Sequence, residues 1–183
     1  CMARALPERM PAGHFASICG TVLAGDHPDT GRRFTMVEPQ MGGWGATATR
    51  DGLDAMYSAS HGETFNCPVE ICETRYGIDV GYKRLNESAD GRGQHAGGKG
   101  LSVSYKPRGR TVLAGGYSRN RIPVWGLNGG ENGGTNAIAV RRRDGSSESY
   151  AFVSGLEVQP GDEIVISTAN GGGWGTPGVN ADE

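Results

Sequence analysis

Glycine is the feature that most restricts how this chain can fold, because 32 of its 183 residues are glycine. Many of them are clustered, at residues 42–45, 97–100, 129–134 and 171–175. In the middle of a helix, glycine costs about 0.5–1 kcal/mol relative to alanine, so long helices are disfavoured in these segments. With hydrophobic residues at only 36%, the composition favours short strands and loops.

Segments rich in β-branched and aromatic residues recur along the chain and predict strands. Residues 18–24 and 34–37 flank turn-forming residues, which predicts a hairpin. Asp144-Gly145 predicts a second hairpin turn. Further strands are predicted at residues 78–84, 101–106, 111–115, 137–142, 149–153 and 163–167.

Helical patterns are confined to two places. Residues 1–6 have the composition of the end of a helix that Pro7 stops. Residues 68–76 begin with proline, carry acids early and precede Gly77, which predicts a short helix with its N-cap at Asn66 or Cys67. The predicted fold class is therefore mainly β (α+β), a strand-rich and glycine-rich domain with one or two short helices.

Charge and hydropathy exclude several kinds of partner. Lys and Arg total 18 against 20 Asp and Glu, so no broad positive surface is available for nucleic acid. The longest apolar runs, such as residues 164–166, are far shorter than the roughly 20 residues of a membrane span. The N-terminal residues lack the pattern of a secretory signal, which predicts a cytoplasmic protein.

Titratable and amide side chains gather between residues 60 and 73. His61 can transfer protons near neutral pH, Asn66 can orient a group, and Glu70 and Glu73 share one helical face. We therefore take His61, Asn66, Glu70 and Glu73 as candidate catalytic residues. The structural alternative is that Asn66 caps the helix with Glu70 as its capping-box partner, while His61 is an ordinary loop residue.

Other candidates have weaker patterns. None of the glycine clusters has the spacing of a phosphate-binding or dinucleotide-binding loop, and structural turns are the favoured interpretation. Cys67 could be activated by the helix N-terminus, but no base stands at a defined spacing from it. Cys1 could act as an N-terminal nucleophile, although a truncated start explains it more simply. We assign no metal ligand within this chain.

Short motifs follow one another along nearly the whole chain. They are Gly42-Gly43-Trp44-Gly45-Ala46, Arg50-Asp51-Gly52-Leu53-Asp54, His61 to Glu70 with its Pro68-Val69-Glu70, Glu73-x-Arg75-Tyr76, Gly91-Arg92-Gly93, Gly97-Gly98-Lys99-Gly100, Val158-x-Pro160-Gly161-Asp162 and Gly171-Gly172-Gly173-Trp174-Gly175-x-Pro177. Their order and spacing resemble the C-terminal part of the B subunit of the ATP-dependent hydantoinase and oxoprolinase family. The resemblance implies that residues 1–183 are a single C-terminal region of a larger B-type subunit.

The resemblance also implies a function, an ATP-dependent cyclic-amide hydrolase that opens a hydantoin, 5-oxoproline or another lactam. A hydantoinase A-like, kinase-like subunit would bind ATP and Mg and phosphorylate the lactam carbonyl oxygen. The B subunit would hydrolyse the activated intermediate with a divalent metal in its N-terminal part, outside this chain. The implied partners are that N-terminal part, the A subunit and a small-molecule substrate, and the chain alone is expected to be inactive.

Two alternatives stay open at the level of sequence. The chain could belong to a related ATP-dependent ketone carboxylase, of the acetone or acetophenone type, because both kinds of enzyme share the two-subunit organisation. It could also be a noncatalytic scaffold that packs against the A subunit. The motifs alone do not separate these functions, because a pocket selects its substrate through a few contacts.

Overall fold

The computed structural model describes residues 2–15, 18–58, 61 and 64–178, and it confirms the strand-rich fold class. Within these residues the helices are short: α1 (Met2–Ala5), a 3₁₀ turn (Pro7–Arg9) and α2 (Val69–Tyr76). The strands in the same residues are β1 (Gly20–Asp26), β2 (Arg33–Pro39), β3 (Ile78–Leu85), β4 (Leu101–Pro107), β5 (Thr111–Gly116), β6 (Ala137–Arg141), β7 (Ser147–Tyr150), β8 (Phe152–Val158) and β9 (Glu163–Ser167). Cys1 lies outside the described residues.

The strands form two antiparallel sheets. One has four strands in the order β2-β1-β5-β8, and the other has five in the order β3-β4-β9-β6-β7. Both predicted hairpins are confirmed: β1 pairs with β2 from Gly20 opposite Pro39, and β6 pairs with β7 across a turn in which Gly145 has φ 89°. Strands that are consecutive in sequence therefore form the pairs β1-β2, β3-β4 and β6-β7, while the pairs β1-β5, β5-β8, β4-β9 and β6-β9 join distant parts of the chain.

The strand predicted at residues 149–153 is wrong, because the chain changes sheets there. β7 ends at Tyr150 in the five-stranded sheet, and β8 begins at Phe152 in the four-stranded sheet. Ala151 lies between them and its carbonyl accepts a hydrogen bond from the Tyr117 amide at 3.1 Å. The residues from 149 to 153 include no glycine or proline, so the sequence does not indicate the point at which the chain passes from one sheet to the other.

The hydrophobic core combines inward side chains of both sheets in one cluster. It includes Leu23 and Leu113 from the four-stranded sheet and Val103 and Ile166 from the five-stranded sheet. In β2 the buried positions alternate along the strand and are occupied by residues 34, 36 and 38. The third of these is Glu38, so an acidic side chain points inward where the alternation calls for an apolar one.

The glycine-rich segments at residues 42–46, 96–100, 126–134 and 171–175 pack directly against one another, and we call them the glycine bundle. Their backbones are joined by hydrogen bonds such as Gly98 N to Trp44 O at 2.8 Å and Gly171 N to Gly98 O at 2.8 Å. A Cβ atom added to Gly43 would lie 1.9 Å from the Gly98 carbonyl oxygen. Close backbone approach explains these glycines.

The interpretation of the glycine clusters as turns is therefore wrong for most of their members. Within the glycine bundle, positive φ angles are confined to Asn128, Gly129 and Gly175. The remaining glycines have ordinary φ values and are needed because neighbouring backbone occupies the space of a side chain. A cluster of glycines has the same appearance in sequence whether it provides turns or close contacts.

Candidate functional site

His61 is held in place by its own loop. Its Nδ1 accepts a hydrogen bond from the Ser58 amide at 3.1 Å, and its ring lies edge-on to Tyr57 with 5.6 Å between ring centroids. Because Nδ1 is an acceptor, the neutral imidazole carries its proton on Nε2. Nε2 is buried and has no hydrogen-bond partner among the residues that the structure describes. The ring is thus oriented with a donor available.

Asn66 is anchored to strand β2 and does not cap the helix. Its Nδ2 donates to the Pro39 carbonyl oxygen at 2.8 Å, while its Oδ1 is buried without a partner in the described parts of the chain. The N-cap position of α2 is Pro68, with no side-chain hydrogen bond. The predictions of an N-cap at Asn66 or Cys67 and of a capping box with Glu70 are therefore wrong, because β2 binds both candidate caps.

The two candidate acids of α2 have different surroundings. Glu70 is exposed in the first turn of the helix. Glu73 is half-buried, and its Oε1 accepts a hydrogen bond from the Val80 amide at 3.3 Å, which ties α2 to β3. No hydrogen bond links His61, Asn66, Glu70 and Glu73 to one another within the described residues. The helix itself ends as predicted, at Gly77 with φ 64°.

An ion pair that no local sequence pattern predicts, between buried Glu38 and partly buried Lys83, lies beside this loop. Glu38 is 2% exposed, and its two carboxylate oxygens accept the Cys67 amide at 3.2 and 3.1 Å. Lys83 Nζ lies 3.8 Å from Glu38 Oε1. Burial raises the pKa of Glu38, although the Cys67 hydrogen bond and Lys83 oppose the rise. Burial likewise lowers the pKa of Lys83, against the attraction of Glu38.

The nearby cysteines are poor nucleophiles. Burial and then the charge of Glu38 raise the pKa of Cys67, which contradicts the hypothesis that the helix N-terminus activates this thiol. Cys72 is buried against Met36, and burial is the main cause that raises its pKa to about 12. Both thiols therefore stay protonated at neutral pH. The hypothesis of an N-terminal nucleophile concerns Cys1, which lies outside the described residues.

The described part of the chain lacks two further kinds of feature. It contains no group of three or more His, Cys, Asp or Glu side chains placed to hold a metal ion. It also contains no helix long and apolar enough to cross a membrane.

The sequence of the chain matches the model of a known family. The family model described as Hydantoinase B/oxoprolinase matches residues 1–177. This chain therefore belongs to the hydantoinase B/oxoprolinase family, and the predicted family resemblance is confirmed.

Individual relatives agree with this assignment. An uncharacterized protein of Methanocaldococcus jannaschii is 30% identical over 171 residues, which cover 93% of this chain and 29% of that protein. The caprolactamase subunit beta of Pseudomonas jessenii is 27% identical over 187 residues, covering 96% of this chain and 32% of the subunit. The chain thus spans less than a third of the length of these relatives.

Two solved structures share the fold. The crystal structure of ATP-dependent caprolactamase from Pseudomonas jessenii superposes with a TM-score of 0.78 at 20% identity, over 96% of this chain and 31% of that one. The nucleotide-free structure of acetone carboxylase superposes with a TM-score of 0.71 at 16% identity, over 96% of this chain and 28% of that one. At these identities the similarity establishes the fold.

Proposed function

We propose that this chain is part of an ATP-dependent cyclic-amide hydrolase that opens a hydantoin, 5-oxoproline or another lactam ring. It would contribute the segment from His61 to Glu73 to an active site shared with the rest of a B-type subunit, beside a kinase-like A subunit. Membership of the family and the caprolactamase name of one relative support a lactam as substrate class. Residues 62 and 63 of the segment lie outside the described residues.

The buried Nε2 of His61 is the single observation that carries this proposal. A buried N–H group without an acceptor is costly, so such groups in native proteins have a partner or a function. The Ser58 amide fixes the ring through Nδ1 and leaves Nε2 as the donor. A ligand carbonyl oxygen or a departing ring nitrogen would supply the acceptor, and His61 would orient it through this hydrogen bond while keeping its Nε2 proton, because Nδ1 already accepts from Ser58.

The other candidate residues have supporting roles in the proposal. Asn66 presents a buried Oδ1 that can accept a hydrogen bond from a ring N–H of the substrate. Glu70 is exposed on the first turn of α2 and can take part in proton transfer when the remainder of the subunit covers it. Glu73 accepts a hydrogen bond from the Val80 amide and so holds α2 against β3. This contact would position Asn66 and Glu70, which lie before and within the helix.

Cofactors belong to other parts of the proposed complex. ATP and Mg²⁺ bind the A subunit, and phosphorylation of the lactam carbonyl oxygen makes the ring carbon a better electrophile. The N-terminal part of the B subunit would hold a divalent metal, and the chemistry that the metal would supply there is a lowered pKa of a bound water. The role left to this chain is to bind and orient the activated ring and to move protons at its nitrogen.

An apolar surface on the four-stranded sheet supports a contact with the rest of the subunit. Val37, Val112 and Phe152 point outward from this sheet and are 66%, 39% and 73% exposed. Val37 lies opposite Val22, so the apolar character continues across the neighbouring strand. Exposed apolar surface of this kind commonly marks an interaction site. We propose the remainder of the B-type subunit as its partner, because this chain spans less than a third of its relatives.

The test uses the whole subunit in complex with its partner. His61→Ala and Glu70→Gln should leave assembly and melting temperature nearly unchanged. Lactam hydrolysis should fall by about two to four orders of magnitude, the usual cost of removing a positioned proton-transfer group (Glu70) or a hydrogen-bond donor to the reacting atoms (His61). ATP turnover can continue uncoupled, because ATP is bound elsewhere.

Matched controls are available in the same chain. Glu87→Gln removes another exposed acid, and His95→Ala removes another partly buried histidine. Both should retain activity. If His61→Ala and Glu70→Gln turn over substrate at the parental rate, or fail only because the subunit unfolds, the segment is scaffold and the proposal is wrong.

The ketone carboxylase remains the second candidate, because acetone carboxylase shares the fold over nearly all of this chain. The two functions differ in their co-substrate. ATP turnover that requires bicarbonate and a ketone would establish the carboxylase, whereas turnover with a lactam alone would establish the hydrolase.

A further inference from the structure

We propose that Glu38 is a positioning residue for the candidate site, because its buried carboxylate ties the loop that carries His61 and Asn66 to strand β2. The inference rests on the proposed function and deepens it, since it names what holds the same loop in place. Glu38 lies 23 positions before His61 in the sequence and has no place among the predicted site residues.

Two consecutive loop residues are bound by two consecutive residues of β2. The Cys67 amide donates to both oxygens of Glu38, at 3.2 and 3.1 Å. The Asn66 side chain donates to the carbonyl oxygen of Pro39 at 2.8 Å. Phe65, directly before them, is 87% exposed, so the loop is held at its end and not by burial of its apolar side chain. The end of β2 therefore fixes where the loop turns into α2.

A carboxylate suits this position better than a neutral acceptor for two reasons. Helix α2 lacks a side-chain N-cap, and a negative charge near a helix N-terminus interacts favourably with the exposed amides there. Glu38 reaches that end from another strand: it binds the amide of Cys67, one residue before the N-cap Pro68, and so brings its charge to this end of the helix without capping the amides of the first turn. Lys83 Nζ, 3.8 Å from Oε1, balances the buried charge from β3.

The remaining groups around Glu38 are neutral at neutral pH. Burial is the largest cause that raises the pKa of Tyr57 in the loop, Cys67, Cys72 on α2 and Tyr105 on β4, and Glu38 adds to each. Within the described residues, Lys83 is thus the counter-charge of Glu38. Replacing Glu38 and Lys83 together leaves no unpaired buried charge. The effect of the double substitution can therefore be attributed to loss of the pair and not to an uncompensated ion.

The experiment replaces the pair in the whole subunit, assembled with its partner, as Glu38→Gln with Lys83→Met. We expect faster amide hydrogen exchange in peptides that cover residues 64–67. Alkylation of Cys67, followed by mass spectrometry, should become about threefold faster or more, because the thiol loses its acidic neighbour and gains access. Hydrolysis should lose about tenfold to a hundredfold in kcat, because small misplacements of a catalytic group have such effects. The KM for ATP should stay the same.

Glu163→Gln is the matched control. Glu163 is also an ion-paired, partly buried glutamate, bound to Ser104 and Arg141 on the five-stranded sheet. Its replacement should leave exchange in residues 64–67, alkylation of Cys67 and kcat at the parental values. A general loss of stability would affect both variants, whereas the loss of a loop anchor affects the first alone.

A measurement on the unaltered protein keeps the proposal testable if the double variant fails to fold. Residue-resolved hydrogen exchange should find the Cys67 amide protected and the Phe65 amide fast. A fast Cys67 amide overturns the proposal. So does a double variant whose loop exchange and kcat match the parent. A double variant with faster loop exchange and unchanged kcat also shows that Glu38 has no positioning role. The kcat of His61→Ala in the same assay then tests the proposed function. A strong loss of kcat in His61→Ala supports the proposed function without a role for Glu38, and an unchanged kcat refutes both proposals.

Discussion

The glycine bundle and the loop held by Glu38 are stabilised in opposite ways. In the glycine bundle, backbone contacts backbone, as in the 2.8 Å hydrogen bond from Gly171 N to Gly98 O. In the loop, side chains make the stabilising contacts, as in the hydrogen bonds of the Glu38 and Asn66 side chains. A backbone contact excludes every side chain, whereas a side-chain contact accepts a replacement of similar shape. Substitution is therefore restricted in the first region by the space between backbones, and in the second by the hydrogen bonds that a new side chain can form.

The largest expected effect is the loss of folding when a side chain enters the glycine bundle. A Cβ at Gly43 would lie 1.9 Å from Gly98 O and 2.5 Å from Gly171 N, and neither backbone atom can move without its neighbours. Gly43→Ala should therefore cost more than about 3 kcal/mol in the free energy of unfolding. Denaturant unfolding, or the yield of folded subunit, measures it.

Gly20→Ala is the control for this prediction. Gly20 lies in β1, and an added Cβ would meet only the Ile18 side chain, at 3.6 Å. This variant should remain within about 0.5 kcal/mol of the parent. Equal stability of Gly43→Ala and Gly20→Ala would remove the distinction between the two regions.

The next effect is the cost of leaving one charge of the buried pair alone. Lys83→Met leaves the buried carboxylate of Glu38 without its counter-charge, and we expect a loss of about 2–3 kcal/mol in the free energy of unfolding. Arg92→Met breaks the exposed pair with Glu131 and should cost no more than about 0.5 kcal/mol. Adding Glu38→Gln to Lys83→Met should restore most of the loss. A double variant as unstable as the single one would show that shape, not charge, is what the pair provides.

The smallest effect is in the pH dependence of stability. The folded pKa of Glu38 is raised above 4.5, so between 4.5 and that pKa the folded protein binds more protons and stability falls as pH rises. The folded pKa of Lys83 is lowered below 10.5, so between that pKa and 10.5 stability increases as pH rises. Unfolding curves across pH should show both slopes, and the Glu38→Gln, Lys83→Met variant should lack them.

Local pattern predicted most of the strands and the end of α2, because alternation, turn residues and a C-terminal glycine act within a few positions. Features that depend on distant contacts were missed. The anchor of Cys67 lies 29 positions away at Glu38, and neither residue has a local pattern that indicates the other. One indication was present: Phe34 and Met36 define the inward side of β2, and Glu38 is next on that side. A buried acid at that position requires a hydrogen-bond donor or a counter-charge inside the protein.

The glycine bundle has a consequence for laboratory evolution of this enzyme family. Every base change in the first two positions of a glycine codon encodes a different residue or a stop, and the segments at 42–46, 96–100, 126–134 and 171–175 are rich in such codons. Random mutagenesis of the whole gene would therefore lose many clones to misfolding before any change in substrate range is sampled. Libraries that keep these codons and diversify the loop around His61 should contain a much larger share of folded variants.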